Sequence, residues 1–149
     1  MRIRLLRKKD ISAAARIVTQ NYSPHYGRMA KGELGAMFRN KVGGPSYVVA
    51  EERGKIIGFA GFVQSWMDFH VYHIFWVNVA PQYQNKGIGT ALVKRAITEI
   101  KRKRGEDKKA AMILITTTSP AYYKKRFGFK TLALLHRKKY HLMALSLER

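Results

Sequence analysis

From Tyr72 to Val79 nearly every side chain is aromatic or β-branched, which suits a pleated, buried surface and disfavours a helix. Pro81 removes a backbone donor and ends that ladder. From Ala91 to Lys103 the apolar residues Leu92, Val93, Ala96, Ile97 and Ile100 then recur at helical spacing. The pattern therefore predicts a central strand, a sharp turn through Gly87 and Gly89, and a helix. Upstream, RIRLL over residues 2 to 6 alternates as a first strand. Asp10 offers an N-cap to a helix with Ile11, Ala14, Ala15 and Val18 on its apolar face, ending near Asn21. Asn21 to Met29 holds proline, glycine, serine and three ring side chains, so a loop is expected there, before a second helix from Ala30 to Asn40.

Gly43, Gly44 and Pro45 mark a break, after which SYVVAEE and KIIGFAGFVQSW flank Arg53 and Gly54 as the strands of a hairpin. Past the central helix, KRKRGEDKK from Lys101 to Lys109 reads as a helix end and a solvated loop, and AAMILITTT as a buried strand. SPAYYKKRFGF predicts a short helix with Ser119 as N-cap and Pro120 at its first position, closing at Gly128. Two last strands, Lys130 to Leu135 and Lys139 to Leu147, form a hairpin around His136 to Lys138. The expected order is β-α-α-β-β-β-α-β-α-β-β, an α/β chain without internal repeats.

The glycine turn carries the candidate chemistry. Gly87 and Gly89 permit positive φ and close backbone approach, so amides from Asn85 to Thr90 can converge where a helix exposes unpaired donors and the positive end of its dipole. Such a loop is an anion cradle, although two glycines also serve a plain tight turn. A dinucleotide fingerprint would need a third small residue where Leu92 stands, and a P-loop would need lysine after its glycine, whereas Lys86 precedes Gly87. What remains is Q-x-x-G-x-G at Gln84, Gly87 and Gly89, after V-x-P at Val79 and Pro81. This resembles motif A of the GNAT superfamily of acetyl-CoA-dependent N-acetyltransferases. The closing Y-Y-x-x-x-F-G-F adds to the likeness, which extends over the whole chain.

The resemblance implies a GNAT fold: a mixed central β-sheet of about seven strands flanked by four helices. It implies transfer of acetyl from acetyl-CoA to a primary amine by direct attack in a ternary complex, with acetyl-CoA as co-substrate and no metal. Gln84, Asn85, Lys86, Gly87, Ile88, Gly89 and Thr90 would hold the pyrophosphate, and Val77, Asn78 and Val79 would line the pantetheine. The thioester would lie where the central strand splays from Ala110 to Thr117, and residues 21 to 40 would help shape the acceptor pocket. The family's general acid is a tyrosine in the helix before G-F. Counting from Pro120 puts it on Tyr123, with Tyr122 beside it, and counting back from Gly128 puts it on Lys124. His73 is the candidate base: its ordinary pKa near 6.5 allows it to accept a proton at neutral pH. Alternation places it on one face with Phe75, Val77 and Val79, eleven residues before Gln84. A core histidine is the other reading. His70 falls on the opposite face, so the pair cannot chelate one metal from a regular strand.

Composition bounds the rest. The 149 residues suit one domain spanning 1–149. No run of eighteen apolar residues appears and MRIRLLRKKD lacks a signal peptide's apolar stretch, so a soluble, cytoplasmic protein is expected. Absence of cysteine excludes a disulfide framework, a thiol nucleophile and a thiolate metal site. Lysine and arginine number 29 against 9 acidic residues, a formal charge of +20, which implies a polyanionic partner. Two expectations follow from that charge: an acceptor amine carried on an acidic peptide or a phosphate-rich particle, or else a basic nucleic-acid- or ribosome-associated module on the same scaffold. Whether the acceptor is a peptide or a small molecule, the sequence leaves open, as it does the oligomeric state.

Overall fold

In the computed structural model, which describes residues 1–40 and 42–148, the alternating N-terminal stretch forms β1 (Arg2–Leu5) and a 3-10 turn (Lys8–Asp10) leads into α1 (Ile11–Asn21) and α2 (Pro24–Arg39). The apolar runs become β2 (Ser46–Glu52), β3 (Lys55–Gln64) and β4 (Val71–Val79), followed by α3 (Ile88–Lys101), β5 (Met112–Thr117), α4 (Pro120–Phe127), β6 (Lys130–Leu135) and β7 (Tyr140–Ser146). This is the expected order, and the strands make one mixed sheet of seven in the order β1-β2-β3-β4-β5-β7-β6. Every pairing is antiparallel except β4 with β5.

Helix α3 covers one face of the sheet. Its stripe of Leu92, Val93, Ala96, Ile97 and Ile100 is buried against Val48, Ile57, Ile74, Ile113 and Phe129, each full burial contributing roughly 1.5–3 kcal/mol. Helices α1 and α2 cover the opposite face, where Ala14, Val18, Ala30 and Leu34 pack on Tyr47, Val49 and Phe59. A buried ion pair ties the start of α1 to β1: Arg4 Nη1 donates to Asp10 Oδ2 at 2.7 Å. Burial alone would push the Asp10 carboxyl up, but hydrogen bonds from Arg4 and from the Arg7 amide outweigh it and hold that carboxyl below the usual range. Asp10 is thus spent on β1 and on the turn before the helix, and makes none of the side-chain capping bonds to α1 that its position suggests.

Three local expectations need correction. The region from Asn21 to Met29 is mostly helix, because α2 begins at Pro24 with the Ser23 hydroxyl accepting from the Tyr26 amide at 3.3 Å. Helix α3 starts at Ile88 rather than Ala91, directly after left-handed Gly87. In β4, Trp76 adopts φ +51 and the register against β3 slips between Phe59 and Gly61, the signature of a β-bulge. Beyond the bulge the faces exchange. His73 and Phe75 lie on the α2 side with Tyr47, whereas Val77 and Val79 pack on the α3 side, so His73 does not share a face with Val77 and Val79.

Candidate active site

The parallel ladder between β4 and β5 has three rungs, Val71 with Met112, Tyr72 with Ile113 and His73 with Leu114. Past His73 the ladder ends, and a separate cavity lies on each side of the gap. Residues 74 to 76 of β4 and 114 to 116 of β5 face one, and residues 77 to 79 with Thr117 face the other.

The cleft on the side of α3 has a volume of about 870 Å³. Val77, Asn78, Val79, Gln84, Asn85, Gly87, Ile88, Gly89, Thr90 and Tyr123 all line it, as does Tyr122. Lys86 does not: its ammonium lies over the Tyr83 ring, 5.5 Å from the centroid. Asn85 at φ +63 and Gly87 at φ +82 are both left-handed, and this turn geometry gathers successive N–H groups into a concave nest. The first helical bond runs from the Ala91 amide to the Gly87 carbonyl, leaving the amides of Ile88, Gly89 and Thr90 without a partner within the helix. A Cβ built on Gly89 would meet only Val79 Cγ2, at 3.8 Å, and one on Gly87 would meet nothing within 4 Å. Packing within the chain therefore does not require glycine at position 89; the space there is open to a ligand. These residues fit a pyrophosphate.

Side-chain amides set the floor of the nest. Gln84 Nε2 donates to the Val79 carbonyl at 3.0 Å and to Asn21 Oδ1 at 3.1 Å, and Asn21 Nδ2 donates to the same carbonyl at 2.9 Å and to buried Asn78 at 3.1 Å. Gln84 thus anchors the loop to β4 and to the end of α1 through its side chain. Sequence reasoning missed Asn21, which carries no local motif. The Ala80 amide bonds to Ile57 of β3, so by strand alternation Asn78 also faces β3, and the N–H groups of Val77 and Val79 face the gap.

Tyr123 is half-buried among Phe127, Phe129 and Tyr122, and burial, helped by Tyr122, pushes its hydroxyl up to about 12. It is a protonated donor at neutral pH. The Tyr122 hydroxyl is hydrogen-bonded to Thr90. Lys124, the alternative by counting, is exposed. The expected cap of α4 is displaced: the Ser119 hydroxyl makes no capping bond, and Thr117 Oγ1 accepts from the Ser119 amide at 2.9 Å.

The second cavity, about 610 Å³, lies on the side of α2. His73 lines it and does not line the cleft with Tyr123. Burial lowers the imidazole below its usual 6.5, leaving it neutral at pH 7. Trp76 Nε1 donates to Glu33 of α2 at this cavity. Tyr47 is fully buried and its hydroxyl has no partner among the described residues. Gly61 makes room for these rings, since a Cβ there would come within 2.7 Å of Tyr47 and 2.9 Å of Phe75. Among the described residues no group of three His, Cys, Asp or Glu side chains could hold a metal ion, and no helix is long and apolar enough to cross a membrane.

The fold is that of the GNAT class of acetyltransferases. The family model described as acetyltransferase (GNAT) family matches residues 14–129, and the chain belongs to that family. No curated protein matches it in sequence. Among solved structures, a GNAT-family protein from Desulfovibrio desulfuricans superposes with a TM-score of 0.83 at 18% identity, covering 99% of both chains. The aminoglycoside 6'-N-acetyltransferase from Enterococcus faecium gives 0.78 at 14% identity, covering 100% of this chain and 98% of its own. The yncA protein of Salmonella typhimurium, solved with its cofactor acetyl-CoA, gives 0.72 at 21% identity, covering 100% and 95%. At these identities the likeness shows the fold.

Proposed function

We propose that the protein transfers acetyl from acetyl-CoA to a primary amine by direct attack in a ternary complex. The observation that carries this reading is the nest of amides at Asn85 to Thr90, with open space at Gly89, set at one mouth of a gap whose other mouth is a separate cavity. The amides of Gly87, Ile88, Gly89 and Thr90, at the positive end of α3, hold the pyrophosphate, and Val77 and Val79 line the pantetheine arm. Acetyl-CoA supplies the acyl group as a thioester, whose C–S bond breaks as the C–N bond to the acceptor forms. The N–H of Val77 or Val79 stabilises the charge that develops on the carbonyl oxygen. His73, neutral because it is buried, accepts the proton the amine loses, and Tyr123 gives its proton to the departing thiolate. Base and acid thus work from opposite mouths of the gap.

A second reading has its own observation. Lys94, Lys101, Arg104, Lys109 and Arg126 line one groove between α3, α4 and β7, a footprint for a phosphate backbone. Thermal stabilisation separates the two. Acetyl-CoA raising the melting temperature where a short RNA duplex does not supports the enzyme; the reverse result, with no product by mass from any amine in a mixed panel, supports the basic module.

A further inference from the structure

The cavity beside β4 carries a charge pattern opposite to that of the molecule. Among the described residues no lysine or arginine lines it, in a chain that carries 29 of them, and Glu33 is its one carboxylate. We propose that it admits a small monoamine with a compact apolar or aromatic skeleton, drawn in as an ammonium by exposed Glu33 at the rim and attacking only after that ammonium has given one proton to solvent. This rests on the acetyl-transfer reading and names the acceptor class for it.

Two features argue for that ligand. Apolar side chains make most of the wall, including Ile74, Phe75, Leu114 and Leu142. Trp76 and Phe75 line the same wall, and the Trp76 indole, by donating to Glu33, holds the carboxylate at the cavity. A polyamine or aminoglycoside would bring several ammonium groups to a wall that offers one carboxylate among the described residues. An acidic peptide would meet Glu33 and, among the described residues that line the cavity, no lysine or arginine. The surplus positive charge of the chain is therefore not a feature of this cavity, and the acceptor expected from it, an acidic or phosphate-rich carrier, does not suit the walls.

The experiment begins with acetyl-CoA binding by calorimetry. Turnover is then measured by mass with 2-phenylethylamine, 3-methylbutylamine, spermidine, kanamycin and a glutamate-rich peptide with a free N-terminus. The two apolar monoamines should exceed the others in kcat/KM by about tenfold or more. Glu33→Gln should raise KM for 2-phenylethylamine by about tenfold, the effect of losing one favourable charge contact. If acetyl-CoA binds and spermidine, kanamycin or the peptide is the better acceptor, the proposal fails while the acetyl-transfer reading stands. An unchanged KM in Glu33→Gln overturns it equally. No binding of acetyl-CoA overturns that reading and this proposal with it.

Discussion

The two cavities of the gap are built from different materials. The cleft on the side of α3 is made largely of backbone, with amides gathered by left-handed residues at Asn85 and Gly87 and by the first turn of α3. The cavity on the side of α2 is made of side chains from α2, β2, β3, β4, β5 and β7. Backbone donors recognise any phosphate of suitable shape, so the first can serve a constant co-substrate. Side chains can be exchanged without disturbing the sheet, so on the proposed reading the second is where acceptor specificity would reside. Variants on the two sides should accordingly fail in different ways.

The largest effect is expected at the chemistry between them. Tyr123→Phe should lower kcat by about 10² to 10⁴ and leave acetyl-CoA affinity nearly unchanged, because a positioned acid acts only in the transition state. Tyr122→Phe, which loses its bond to Thr90, should show the smaller loss. Single-turnover kinetics on both variants checks this, and the opposite order would transfer the acid to Tyr122. Next comes Gly89→Asp. The chain has room for the side chain, so circular dichroism should be unaltered. A carboxylate set against pyrophosphate should raise the acetyl-CoA Kd by about 10² or more, and unchanged affinity would move the cradle elsewhere.

On the other side, His73 should govern pH. Its pKa is lowered by burial and it works deprotonated, so kcat should be flat above pH 7 and fall as pH drops through a value below 6.5. His73→Gln should remove that acid limb and cost about tenfold at pH 7, with water taking over part of the proton transfer. A retained limb would return His73 to the core. The smallest effect is expected from Asn21→Ala, which takes one donor from the Val79 carbonyl and one partner from Gln84. Loosening the nest should raise the acetyl-CoA Kd by about 3- to 10-fold, the worth of one or two net hydrogen bonds, with KM for the amine unmoved. Calorimetry beside amine titrations would show whether the two sides are that independent.

What was legible followed the same division. The turn at Gly87 and Gly89 is a contiguous pattern, and its residues reach one cleft except for Lys86, whose side chain settles on Tyr83 instead. The second cavity left no such trace: Glu33, Tyr47 and Trp76 are far apart in sequence and ordinary in their own segments. The start of α2 is a different case. Ser23 and Pro24 carry the same helix-start signal that locates α4 at Ser119 and Pro120, but the glycine and rings that follow resembled a loop. The serine that caps through its hydroxyl is Ser23 rather than Ser119.

The sequence by itself determined the order of the elements and the glycine turn before the central helix, because hydrophobic period, proline and glycine act over a few neighbouring residues, and the mixed sheet followed from the family resemblance. Only the tertiary structure decided which face His73 joins, since the bulge at Trp76 puts a tryptophan at φ +51, a conformation its local preferences oppose. That conformation is held by packing: Trp76 bonds Glu33 of α2 and sits edge-on to Tyr22, 6.2 Å away. Reversing the alternation there is what assigns Val77 and Val79 to one mouth of the gap and His73 to the other, and such a reversal comes from contacts between distant segments that no local period encodes.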